Sequence, residues 1–123
     1  MSQYFQDGDD VLWNPATRVA QLFTDTAEAL ARLVERPSGL GPMAEDACQV
    51  DVPVFAAFVD ELVRRYARSN HSVLKSLMDG FTGTAIVLVE RAGADVPALA
   101  EMPDNPGVRH LLGISRLHSG IPR

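Results

Sequence analysis

The residues best suited to chemistry in this chain are three histidines, one cysteine and a short run of serines, and their spacing argues against a reactive site. His71, His110 and His118 include no pair at the three- or four-residue spacing that brings two ligands onto one helix face, and no HExxH motif is present. The acidic pairs Asp9–Asp10 and Glu45–Asp46 read as solvated surface carboxylates rather than cation ligands. Cys48 stands alone, which excludes an internal disulfide and any CxxC zinc site. Acidic neighbours would raise its thiol pKa, so it reads as a small apolar residue rather than a nucleophile. Ser69, Ser72 and Ser76 surround His71, but helix residues one or two apart do not face each other, and no GxSxG elbow occurs. Gly80-Phe81-Thr82-Gly83-Thr84 lacks the lysine of a P-loop, and Gly39-Leu40-Gly41-Pro42 lacks a third glycine and a following helical stripe. No catalytic residue, no cofactor and no metal site is therefore expected, and the chain reads as a non-enzyme.

Charge narrows the partners. The 123 residues carry a formal net charge of -5, a poor footprint for a duplex nucleic acid, so no nucleic-acid partner is expected. The one dense basic patch, Arg64, Arg65 and Arg68 with His71, has Asp60 and Glu61 one turn earlier and reads as a salt-bridged helix surface. An anion or acidic-partner contact is the second reading. Met1 to Asp10 has neither a basic n-region nor an apolar h-region. Apolar runs such as Ala85 to Val89 fall far short of the ~20 residues of a membrane span. The expected location is the cytoplasm, or outside the cell by a route without a cleaved signal.

The elements that would position these groups follow from periodicity. Residues 1–13 read as a polar lead-in whose Tyr4, Phe5, Val11, Leu12 and Trp13 could fold back onto a core. Asn14-Pro15 is a helix-start signal. From there Val19, Leu22, Phe23, Thr26, Ala29, Leu30 and Leu33 recur at three- and four-residue steps, which predicts a helix over 15–36, ended by Pro37. Residues 37–52 form a Gly/Pro-rich connector. A second stripe of Phe55, Phe58, Leu62, Tyr66, Leu77 and Phe81 predicts one helix over 53–91, roughly 39 residues and about 58 Å long. Asp79-Gly80 could instead turn a hairpin, with Ala85–Val89 as a strand. The stripe keeps phase through the glycines, which favours helix. In the tail, 94–123, Asn105-Pro106 could start a short helix with Val108, Leu111 and Leu112 on one face.

The architecture this implies is a single all-α domain, an antiparallel helical hairpin of two long helices with a possible short C-terminal helix. Two such helices make a thin core. The stripes Val19, Leu22, Phe23, Leu30 and Leu33 and Phe55, Phe58, Leu62, Tyr66, Leu77 and Phe81 would then be the interaction surface. They would be completed by a homodimer or by a heterodimer with a related helical hairpin.

Segment Ala29–Gly41 (ALARLVERPSGLG), then Val54-Phe55-Ala56-Ala57-Phe58-Val59-Asp60, then the helix through Leu74, Leu77 and Val89, resembles the small type VII secretion proteins, in particular the EspC-like branch of the WXG-type helical hairpins. Ten of the eleven basic residues are Arg, a bias that GC-rich coding produces, as in many actinobacteria. The Trp-x-Gly turn is absent, and Tyr66 is followed at the export-motif spacing by Asn70 rather than an acid. The resemblance, over roughly residues 15–95, therefore implies a secretion-associated substrate or a partner or chaperone subunit. A cytoplasmic adaptor or immunity-type protein, and a small-ligand regulator with a pocket near Arg65, Tyr66 and His71, are the other readings.

Overall fold

The computed structural model describes residues 1–123. It is a mixed α/β fold, which overturns the all-α hairpin. The lead-in is a β-hairpin: β1 (Tyr4–Asp7) and β2 (Asp10–Trp13) pair antiparallel, with Phe5 opposite Trp13 and Asp7 opposite Asp10. The two-residue loop begins at Gly8, whose φ of 60° lies where glycine carries no Cβ penalty. The connector supplies β3 (Ala47–Gln49), which runs parallel to β1 and completes the sheet in the order β2-β1-β3. The Gln49 side chain accepts from Gly8 N at 3.1 Å and donates to Gly8 O at 3.4 Å, so the third strand braces the hairpin turn. Phe5, Leu12, Trp13 and Cys48 are the buried residues of these strands.

α1 spans Thr17–Val34. Asn14 does not cap it: the cap position is Ala16, which makes no side-chain hydrogen bond, and Asn14 Oδ1 is buried without a partner. The expected 53–91 helix is two helices, α2 (Val52–Arg68) and α3 (Ser72–Arg91). The break falls at Ser69-Asn70-His71, where polar side chains offer the backbone an alternative to helix. Ser69 Oγ accepts from His71 N at 3.1 Å, and His71 Nδ1 accepts from Leu74 N at 3.1 Å. His71 is thus the N-cap of α3. Asp51 caps α2 as its position suggests, accepting from Val54 N at 3.4 Å.

α3 passes unbroken through Gly80 and Gly83. By length and composition it could cross a bilayer, with a mean hydropathy of 1.3, but half of that window is buried inside the fold, the pattern of a core helix. After it come α4 (Pro97–Glu101) and α5 (Pro106–His118). Asn105 Oδ1 caps α5, accepting from Gly107 N at 2.8 Å and Val108 N at 3.1 Å. α5 packs along α3 so closely that a Cβ on Gly83 would stand 2.3 Å from Ile114 Cγ2. α4 is held by α2: Asp60 Oδ1 accepts from Ala98 N at 2.8 Å, and Asp60 Oδ2 binds Arg64 Nε at 2.7 Å.

The core joins sheet and helices through aromatic rings. Phe5 stacks on Trp13 with centroids 5.6 Å apart, and both meet Phe23 edge-on at 5.3 Å. Phe23 stacks on Phe81 at 4.5 Å, and Phe81 meets Phe58 at 6.2 Å. One contiguous cluster of 25 buried residues includes residues from β1, β2, β3 and all five helices. The core closes within one chain, so the argument that a thin two-helix core needs a partner falls with the hairpin.

Candidate functional site

The reactive residues considered first are placed in structural roles. Cys48 is fully buried, its thiol donates to Gly41 O at 3.2 Å, and burial pushes its pKa up to about 11. Desolvation, and not the neighbouring acids, raises the pKa of this thiol. No group of three His, Cys, Asp or Glu side chains stands close enough to hold a metal ion. In the basic cluster, Arg64 bridges Asp60 and Glu101 at 2.7 and 2.6 Å, and those two carboxylates hold its guanidinium above its usual pKa. Arg68 reaches Glu61 at 3.5 Å, while Arg65 donates to Leu33 O at 3.4 Å rather than to Glu61. The cluster is thus largely consumed in holding α2 to α4 and α1. Arg91 is likewise structural: it donates to Leu12 O at 2.9 Å and to the carbonyls of Ser119 and Ile121, and burial, then Arg123, lowers its pKa.

Of the residues near which a small-ligand pocket is expected, Arg65 donates to Leu33 O and His71 caps α3. Tyr66 is buried, with its ring parallel to that of His110 at 6.2 Å and Lys75 Nζ 4.6 Å from its centroid. Burial, with the Asp79 carboxylate second, raises the Tyr66 pKa. His110 Nε2 in turn contacts Asp79 at 3.1 Å. These contacts pin α5 against α2 and α3.

The interaction stripe divides. Phe23, Leu30, Phe55, Phe58, Leu62 and Tyr66 are buried in the core, and Leu33 and Phe81 are half-buried against it. Val19, Leu22 and Leu77 remain in solvent at 48%, 69% and 70% exposure, joined on α3 by Val73 at 61%. Those three stripe residues converge. Val19 and Leu22 on α1 and Leu77 on α3 rim an open groove of about 440 Å³ floored by Trp13, Phe23 and Phe81. Gly80 sits in its wall as an exposed helix residue whose missing Cβ would meet nothing within 4 Å. At one end Thr84 Oγ1 lies 2.7 Å from His118 Nδ1, and the threonine hydroxyl also has Gly80 O within 3.1 Å. The hydroxyl can donate to Gly80 O while accepting from Nδ1–H, or donate to Nδ1 in the other tautomer; in either arrangement the pair ties α3 to α5.

An apolar groove with aromatic floor and large exposed rim residues is what a docking surface looks like. Periodicity alone did not find it, because it weighted Val19, Leu22 and Leu77 equally with the core residues beside them.

The chain belongs to the family described as a family of unknown function (DUF6086), whose pattern matches residues 1–118. No curated protein and no solved structure matches it.

Proposed function

We propose that this DUF6086 member is a non-enzymatic protein-binding module that docks an apolar helical surface in the groove between α1 and α3. The observation that carries the reading is the coincidence of three large exposed apolar side chains, Val19, Leu22 and Leu77, with that one aromatic-floored groove. Single exposed apolar residues need no explanation, but several converging on one concavity do. The wall is helical on both sides, a geometry suited to an amphipathic helix laid between the ridges. The groove contains one carboxylate, Asp79, already engaged by His110, and no lysine or arginine, so contact there is apolar rather than charge-driven. Association with type VII secretion would be one setting for such a module, and the docking reading does not depend on it.

The test is site-specific photocrosslinking in cells that make the protein. A photoreactive residue replaces Leu77 in one variant, Leu22 in a second and the exposed Glu45 in a third as control. Discrete protein adducts at positions 22 and 77, and none at 45, are expected. Absence of adducts at both groove positions would refute the docking role.

A further inference from the structure

The occupant of the groove can be named from the surface that surrounds it. Leu22 is the crest of α1. On a helix of 3.6 residues per turn, Val19 and Thr26 lie on one flank of Leu22, at about 60° and 40°, and both line the groove. Arg18 and Asp25 lie on the opposite flank, at about 40° and 60°. Both are exposed, and neither makes an ion pair within the chain. They sit four residues before and three residues after Leu22. An antiparallel copy of α1, related by a two-fold axis at Leu22, would set each Arg18 beside the Asp25 of the other copy, within about one residue's rise of 1.5 Å. The same surface therefore carries both halves of its own charge pairing, which is the condition for an isologous contact.

Gly80 points the same way. Gly83 needs its missing side chain because Ile114 occupies the space, but nothing in the chain occupies the space at Gly80. A glycine inside a helix costs stability relative to alanine, and a close approach to its backbone is one use that its missing side chain permits. The bare stretch of α3 between Leu77 and the α1 ridge is where an approaching helix pair would come closest.

We infer that a second copy of this chain closes over the α1/α3 groove, in a two-fold dimer that packs α1 against α1 antiparallel and pairs Arg18 with Asp25 twice. The inference rests on the docking reading and names its partner. The face offered by two helices of 18 and 20 residues is about 27 Å by 20 Å, roughly 500 Å². A standard stable interface covers about 800 Å² per partner. The dimer is accordingly a weak, reversible one.

Sedimentation velocity on the full chain, over about 5 µM to 1 mM, tests this with a charge-swap cycle. Wild type should shift from monomer to dimer across the series. Arg18→Asp and Asp25→Arg, each placing like charges opposite each other, should weaken the dimer at least tenfold. The double variant R18D/D25R should restore it. Thermal melts followed by circular dichroism should show all three variants folded, since both positions lie on the surface. A chain that stays monomeric throughout, or dimerises without rescue in the double variant, overturns the two-fold geometry. The crosslinks separate this failure from that of the docking reading. An adduct of twice the chain's mass at position 77 supports the dimer. An adduct with a different protein leaves docking standing and overturns the self-partner. No adduct overturns both.

Discussion

Gly80 and Gly83 lie three residues apart on one helix, yet they should respond oppositely to the same substitution. Replacing an interior helical glycine by alanine gains about 0.5–1 kcal/mol from the lost freedom of the unfolded chain. At Gly80 the new methyl meets nothing within 4 Å, so that gain is realised in full. At Gly83 the methyl would lie 2.3 Å from Ile114 Cγ2, 2.7 Å from Ile114 Cβ and 3.4 Å from Ser115 N. The Cβ of Ile114 is fixed to the α5 backbone, so α5 itself must move. Overpacking of this kind costs about 1–3 kcal/mol, and subtracting the propensity gain leaves Gly83→Ala destabilised by about 0.5–2 kcal/mol. The two variants should differ by about 2 kcal/mol, or about 8 °C in Tm at roughly 4 °C per kcal/mol for a domain of this size. Urea unfolding followed by circular dichroism at about 2 µM chain keeps association out of the measurement. Wild type should fall between the two. Equal shifts, or a stabilised Gly83→Ala, would refute the close α3–α5 packing. Gly80→Ala makes a second, independent demand. If the groove receives a second copy, the variant that stabilises the folded chain should weaken its self-association, because the methyl fills the notch.

The pH dependence should carry the mark of Cys48. Its folded pKa of about 11 lies above the ordinary thiol value of 9.0, so the folded state holds the proton more tightly. Stability should be unaffected by this group below about pH 9 and should fall as pH rises from there through 11. Comparing urea midpoints of wild type and Cys48→Ala across that range isolates the group, and parallel profiles would show the thiol is not desolvated. Asp60→Ala removes the acceptor for Ala98 N and the partner of Arg64. It should cost about 1–3 kcal/mol and speed amide exchange across 97–101 relative to α2, and unchanged exchange there would deny the tie. Leu77→Gln should stay within about ±0.5 kcal/mol of wild-type stability, while Phe58→Ala should cost about 3–5 kcal/mol. Comparable losses in urea unfolding would mean Leu77 belongs to the core.

Much of the helical skeleton was legible from spacing, and the sheet was not, although its signal stood in the text. Asp-Gly occurs twice. At Asp79-Gly80 it lies within a stripe that keeps helical phase, and helix wins. At Asp7-Gly8 it separates two short segments that each place apolar residues toward one side, Phe5 before it and Leu12 and Trp13 after it, and it turns a hairpin. Three-residue β3 gives no periodicity to read, and its place beside β1 depends on a contact more than 40 residues away. The break at Ser69–His71 was obscured because the apolar pattern continues on both sides of it. His71 looked like a candidate for chemistry, when its position before Ser72 made it a candidate cap.

The groove's rim was readable too, had the alanines been weighed. The buried face of α1 comprises Ala20, Phe23, Ala27, Leu30 and Ala31, and three of these five are the smallest residues on the helix. Their mean direction lies roughly 130° from Leu22 by helical geometry. A stripe drawn through the largest side chains instead merges Leu22 with Phe23, which are 100° apart. The distinction reverses the reason for expecting a partner. A core too thin to stand alone would demand one from every residue of the stripe. This core closes on its own, with Phe5, Phe55, Phe58 and Leu62 all at or below 1% exposure. What remains outside is a surplus that folding does not use: three large apolar side chains on α1 and α3, a glycine with no internal occupant, and two opposite charges flanking the crest. A partner of the kind proposed would therefore add to a finished fold, and variants at these positions should alter that association while leaving the fold intact.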